Sequence, residues 1–105
     1  MLDVTNIKGF QWDKGNITKN GDKHKVAVGE AEQVFFNEPI ILGNDFFHTV
    51  AKEERYFILG TTDEGKILFI AFTIRKDLVR VISARDMSKK ERKTYEKEIK
   101  KDSKI

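Results

Sequence analysis

The chain has no cysteine. A disulfide scaffold and a thiolate metal site are therefore excluded, and nothing in the composition points to secretion. Its single proline, Pro39, and the lack of any Gly/Ser-rich stretch leave no candidate linker, so the 105 residues read as one domain. No apolar run approaches the roughly 20 residues that a membrane-spanning helix needs. Residues 1–10 also lack the apolar stretch of a signal peptide, so a cytoplasmic protein without membrane association is expected. Arginine is absent from residues 1–50: Arg55, Arg75, Arg80, Arg85 and Arg92 all fall in the second half. The overall charge of +3 is thus uneven, being −2 over residues 1–50, +2 over 51–85 and +3 over 86–105. Guanidinium groups present a planar fork of donors that fits phosphate. The asymmetry points to an anionic partner, nucleic acid first, with a merely solvated surface as the plain alternative.

What is present is a heavily charged globular chain, 39% hydrophobic and 35% charged. The first zone, residues 1–36, reads as mostly helical. Asp13 to Lys23 is a helix candidate weakened by Gly15 and Gly21. Val26 to Phe36 is stronger, with Ala27, Ala31, Val34 and Phe35 on one side at helical spacing, and Pro39 ends it. The second zone reads as β: a short Ile40–Leu42 strand, a loop from Asp45 to Lys52, then Glu54–Gly60, Ile67–Arg75 and Leu78–Arg85. Lys76-Asp77 is a two-residue turn, which makes the last two strands antiparallel and sets Thr73 opposite Arg80 and Ile70 opposite Ser83. Leu68, Ile70, Phe72, Ile74, Val79 and Val81 then share an apolar face that the N-terminal helices must cover. Thr73, Arg75 and Arg80 share the other face. A four-residue loop at Thr62–Gly65 would set Tyr56 opposite Ala71 on that second face, while simple alternation sends Ser83 and Arg85 to the core side. The third zone is a basic helix opened by a capping box, Ser88-Lys89-Lys90-Glu91, with Arg92, Tyr95 and Ile99 on one stripe and a fraying tail at 100–105.

Known catalytic motifs are missing. His24 and His48 lie in different segments, neither within a spaced ligand set. There is no phosphate-binding glycine loop and no dinucleotide fingerprint, and Ser83 lacks a nucleophile elbow. The remaining cluster of Arg, Tyr and Ser beside one sheet face suits metal-free RNA cleavage. There the ribose 2′-hydroxyl is the nucleophile, and the protein supplies positioning, positive charge and proton transfer. Each residue also has a plain structural reading. Arg55 can pair with Glu53 or Glu54 across the sheet, and Arg75 can be merely solvated beside its turn. Ser83 can be a satisfied strand hydroxyl, and Tyr56 and Tyr95 can be packing residues with bonded phenols. His24 can cap a helix, Trp12 can anchor the core, and the Lys89-Lys90 and Lys100-Lys101 pairs can be solvated helix surface.

Several segments in order resemble one family. Trp12-Asp13, Asn20, Lys23-His24, Val26, Glu30-Ala31, Val34-Phe35 and Pro39 come first. His48, Glu53-Glu54-Arg55-Tyr56 and Gly60 follow, then Thr73, Arg75, Arg80, Ile82-Ser83-Ala84-Arg85, Glu91-Arg92 and Tyr95. Over about residues 10–96 this is similar to the BrnT toxins of bacterial type II toxin–antitoxin systems. Departures are Asn16 where the family has lysine, Lys25 where it has glycine, and Val28 where it has phenylalanine. The resemblance implies an α+β, RelE-like fold, with N-terminal helices packed on a 3–4-stranded antiparallel sheet followed by a C-terminal helix. It implies a metal-independent, cofactor-free ribonuclease that blocks translation, with RNA as substrate. The implied partner is a BrnA-type antitoxin with a ribbon-helix-helix part, through which the complex would reach operator DNA. Carried over by position, the catalytic set is Arg55, Tyr56, Arg75, Arg80, Ser83 and Tyr95, and RNA binding falls to Lys23, His24, Arg85 and Arg92. Glu54 is a further motif position. A non-catalytic RNA- or protein-binding module is the competing expectation.

Overall fold

The computed structural model describes residues 7–13, 25–44 and 53–103. The proposed Asp13–Lys23 helix beyond Asp13, together with Lys23, His24, His48 and the 45–52 loop, lies outside them. A mixed five-stranded sheet forms the body. Its strands are β1 (Gly9–Gln11), β2 (Ile41–Asn44), β3 (Tyr56–Thr61), β4 (Ile67–Arg75) and β5 (Leu78–Asp86), in the order β1-β5-β4-β3-β2. Helix α1 (Val28–Val34) covers one face, and α2 (Lys89–Ser103) crosses part of the other. The sheet is therefore larger than the 3–4 antiparallel strands expected. Gly9–Gln11, read as part of a helical zone, is instead an edge strand parallel to β5, with Phe10 opposite Val79. Three residues are too few to show a period of two, which is why the pattern missed it.

The β4–β5 hairpin forms as expected from its two-residue turn. Lys76 and Asp77 both take left-handed φ angles of 51° and 66°, as the right-handed twist of paired strands demands, and Thr73 faces Arg80. Val79, Val81, Leu68, Ile70 and Phe72 are completely buried on the core face. Phe35 meets Phe72 edge-to-face at 5.0 Å, and Phe10 meets Phe35 at 5.3 Å. Helix α1 contributes Ala31 and Val34 to this core. Its N-terminus is closed by the Glu30 carboxylate, which accepts from the Ala27 N–H at 3.0 Å and pairs with Lys66 Nζ at 3.0 Å. These bonds hold the Glu30 carboxyl below its ordinary range. The helix ends at Val34, before the expected Phe36, and Ala27 is its exposed N-cap. Trp12 anchors the chain to α1 by donating its indole N–H to Glu32 at 2.8 Å.

Two register details differ from expectation, and both move candidate residues. The β3–β4 loop has five residues, Thr62–Lys66, not four. The Thr62 N–H donates to the Lys66 carbonyl, Gly65 takes φ 90°, and Thr61 faces Ile67. This one-residue shift turns β3 over. Phe57 faces Ala71, and Tyr56 faces Phe72 on the core side, its ring 5.6 Å away. In β5 a bulge intervenes: Phe72 faces Val81, but Ala71 faces Ser83, leaving Ile82 as the extra residue. The bulge reverses the phase, so Ala84 is buried in the core and faces Ile70. Ser83 and Arg85 pass to the face that carries Thr73 and Arg80. The expected Ile70–Ser83 pairing is replaced accordingly.

Helix α2 starts as its capping box requires. The Ser88 N–H donates to Glu91 at 2.8 Å, and the Glu91 N–H donates to Ser88 Oγ at 3.2 Å. The helix spans Lys89–Ser103. Its seam is Tyr95 and Ile99, packed with Leu59, Met87, Phe57 and Phe69; Arg92, expected on this stripe, is exposed. Among the described residues no helix is long and apolar enough to cross a membrane.

Candidate functional site

The face of the sheet opposite α1 is only partly covered by α2. Alternation along β4 and β5, with the bulge, brings Arg75, Arg80, Ser83 and Arg85 to this side. Thr73 lies among them, buried, with its hydroxyl donating to the Glu54 carbonyl at 2.8 Å. This bond ties the segment before β3 to the middle of the face. Arg55 sits half-buried in that segment.

Each arginine of the face meets a carboxylate from another segment. Arg75 Nη2 pairs with Glu53 at 3.2 Å, and Arg80 Nη2 with Asp13 at 3.3 Å. Arg85 makes a two-point bond to Glu91, Nη1 to Oε1 at 2.8 Å and Nη2 to Oε2 at 2.9 Å. It also donates to the Asp86 carbonyl and lies 4.2 Å from the Phe69 ring centroid. The hydrogen bonds to Glu91 raise the Arg85 pKa further, and those from Arg85 lower that of Glu91. Arg85 thus clasps the first turn of α2 to the sheet. Arg75 and Arg80 each meet one of these carboxylates in contacts that are partly open to solvent. Glu53, one of the two acids that the sequence offered to Arg55, pairs with Arg75.

The tyrosines stand apart from this group. Tyr56 is on the core side and donates its phenol to Glu54 at 2.7 Å, a bond that raises its pKa. Tyr95 is buried under α2 and donates to the Pro39 carbonyl at 2.6 Å; burial raises its pKa. Both phenols keep their protons at neutral pH. Arg92 lies on the exposed side of α2. No three His, Cys, Asp or Glu side chains converge on a possible ion position among the described residues.

The sequence reading did not pair Asp13 with Arg80, Glu53 with Arg75 or Glu91 with Arg85. It also missed a groove of about 530 Å³ between α2 and the sheet, lined by Phe57, Leu59, Phe69, Lys90, Glu91 and Thr94. Alternation along β4 puts Phe69 on the face of Thr73 and Arg75, but Phe57 needed the five-residue loop to bring it there.

The family profile described as "Ribonuclease toxin, BrnT, of type II toxin-antitoxin system" matches residues 12–91. The chain belongs to the BrnT family. The matched span begins at the Trp12 anchor and ends at Glu91, the partner of Arg85, so it contains Arg75, Arg80 and Ser83 but not Arg92 or Tyr95. The fold is also similar to the crystal structure of the BrnT ribonuclease toxin of Brucella abortus, with a TM-score of 0.57 and 20% identity over 77% of this chain and 97% of that one. No curated protein matches the chain. Membership in the BrnT family agrees with the α+β architecture found, in which a mixed sheet carries the polar face between two helices.

Proposed function

We propose that this BrnT-family chain is a metal-independent ribonuclease that cleaves RNA and stops translation in the cytoplasm, and that a BrnA-type antitoxin neutralises it. The observation that carries the reading is the family match over residues 12–91, which spans the whole arginine face. The chemistry suits that face. The ribose 2′-hydroxyl gives up its proton to a base as its oxygen attacks the adjacent phosphorus, the bond from phosphorus to the 5′-oxygen breaks, and the departing oxygen takes a proton. A 2′,3′-cyclic phosphate and a 5′-hydroxyl result. The transition state gathers negative charge on the non-bridging oxygens, where fixed cations act most strongly. Arg80 is the principal candidate for that charge. It lies in mid-strand beside buried Thr73, and Asp13 orients it without enclosing it. Arg75 is the second cation. Ser83 lies on the same face within the row from Arg80 to Arg85 and contributes a hydroxyl for binding. Arg85 acts in RNA binding through the stack and clasp described above. Roles for Arg55, Tyr56, Tyr95, Lys23, His24 and Arg92 rest on resemblance alone.

The antitoxin follows from the family's type II system. Its ribbon-helix-helix part would carry the complex to operator DNA. The test is a defined RNA transcript incubated with the purified chain in EDTA, with Arg80→Ala alongside. Cleavage by the wild type and at least a hundredfold loss in the variant support the reading. Intact RNA with the wild type, in EDTA or in magnesium, overturns it in favour of a non-catalytic binding module.

A further inference from the structure

We propose that the groove between α2 and the sheet is a subsite for an unpaired nucleobase of the RNA, a step that rests on the ribonuclease reading above. Two stacked rings from adjacent strands line it, and a guanidinium from the third strand lies over one of them. Phe57 on β3 and Phe69 on β4 are nearly parallel, with centroids 5.9 Å apart at 14°, and the Arg85 guanidinium of β5 lies 4.2 Å from the Phe69 centroid. Flat aromatic rings and guanidinium planes set on one sheet face are surfaces on which splayed bases stack. The groove is almost wholly apolar, and its volume of about 530 Å³ is that of a small-molecule cleft.

The position of Phe57 is held by its neighbour. Gly43 faces it directly across β2–β3, and a Cβ there would collide with ring atoms of Phe57. The missing side chain at Gly43 is therefore what lets the ring lean over β2 and align with Phe69.

Charge selects the occupant. Lys90 is the cation in the lining. Glu91, the acid in the lining, is neutralised by Arg85. The groove and the arginine face lie on the same side of the sheet: Phe69 is four residues from Thr73 on β4, with Arg85 and Arg80 as their respective partners. At about 3.3 Å per strand residue the two points are roughly 13 Å apart. A base in the groove thus belongs to a nucleotide flanking the cleaved phosphate, and the subsite sets sequence context rather than chemistry.

The experiment uses a 2′-O-methyl RNA oligonucleotide, which cannot be cleaved, carrying 2-aminopurine at successive positions. Phe57→Leu and Phe69→Leu keep apolar bulk over the core and remove the flat ring. Gly43→Ala keeps every lining residue and displaces Phe57. The expected result is position-specific quenching by the wild type, lost in all three variants. Binding should weaken about five- to tenfold for each Leu variant. On cleavable RNA, the Leu variants should raise KM at nearly constant kcat, whereas Arg80→Ala should lower kcat. Wild-type affinity and quenching in Phe69→Leu overturn the proposal. So does unchanged RNA binding by the Leu variants together with lost binding of the antitoxin, which would mark a protein-docking groove. Position-specific quenching by a wild type that leaves ordinary RNA intact supports the subsite and overturns the nuclease reading instead.

Discussion

Replacing Glu91 with Gln removes a charge and keeps the side chain's shape, so it isolates the electrostatic part of the clasp between β5 and α2. Glu91 accepts two hydrogen bonds from Arg85 and one from the Ser88 N–H. The pair is neither buried nor free in solvent, with side-chain exposures of 36% for Arg85 and 23% for Glu91. Fully exposed pairs contribute about 0–1 kcal/mol, and breaking a fully buried one costs about 3–5 kcal/mol. Screening at Arg85 puts this pair near the lower range, and Gln still accepts one bond. A loss of about 1 kcal/mol is expected, or about 4–8 °C in Tm for a domain of this size. The pH dependence gives a sharper check. The Glu91 carboxyl is held below its ordinary value of 4.5 in the folded state, mainly by Arg85. Its contribution is therefore complete above about pH 4.5 and is lost as pH falls through the lowered folded value. Urea midpoints measured from pH 7 to pH 3 should show the wild type ahead at pH 7 and the gap closing below pH 4.5. Equal stability at pH 7, or a gap unchanged down to pH 3, would refute the assignment of the clasp to charge.

Other outcomes follow from backbone geometry. Gly60→Ala sets a Cβ 2.9 Å from Val34 Cγ1 and 3.2 Å from Ile40 Cγ2, where β3 meets α1. It should cost about 1–3 kcal/mol by overpacking, read as a lower urea midpoint. Lys76→Asn with Asp77→Gly gives the hairpin turn residues suited to φ 51° and 66°. This pair should stabilise the fold by about 1 kcal/mol, because the exposed Lys8–Asp77 contact at 3.8 Å that it removes contributes little; a lower thermal midpoint would contradict the turn assignment.

Where side chains alternate sharply, the sequence was enough. The β4–β5 hairpin, the buried face from Leu68 to Val81 and the capping box at Ser88 follow from spacing alone. The β5 bulge was also legible, though unread. Arg80 is polar, Val81 and Ile82 are both apolar, and Ser83 and Arg85 are polar again, so the alternation changes phase at Val81-Ile82. In β3 no such signal exists. Tyr56 to Leu59 are apolar on both faces, and only loop length sets the phase, so a single residue at Lys66 decided where Tyr56 went. The ion pairs of the arginine face were hidden for another reason. Asp13 and Arg80 are 67 residues apart, and only the parallel edge strand β1 brings them together.

The central claim is that the arginine face cleaves RNA without a metal ion. Single-turnover cleavage of a defined RNA in EDTA, with the 3′ ends of the products identified, tests it most directly. The account predicts 2′,3′-cyclic phosphate ends from the wild type, and a rate at least a hundredfold lower for an Arg80→Ala protein that keeps the wild-type urea midpoint. Full activity in Arg80→Ala, or cleavage only when a divalent cation is restored, would contradict it.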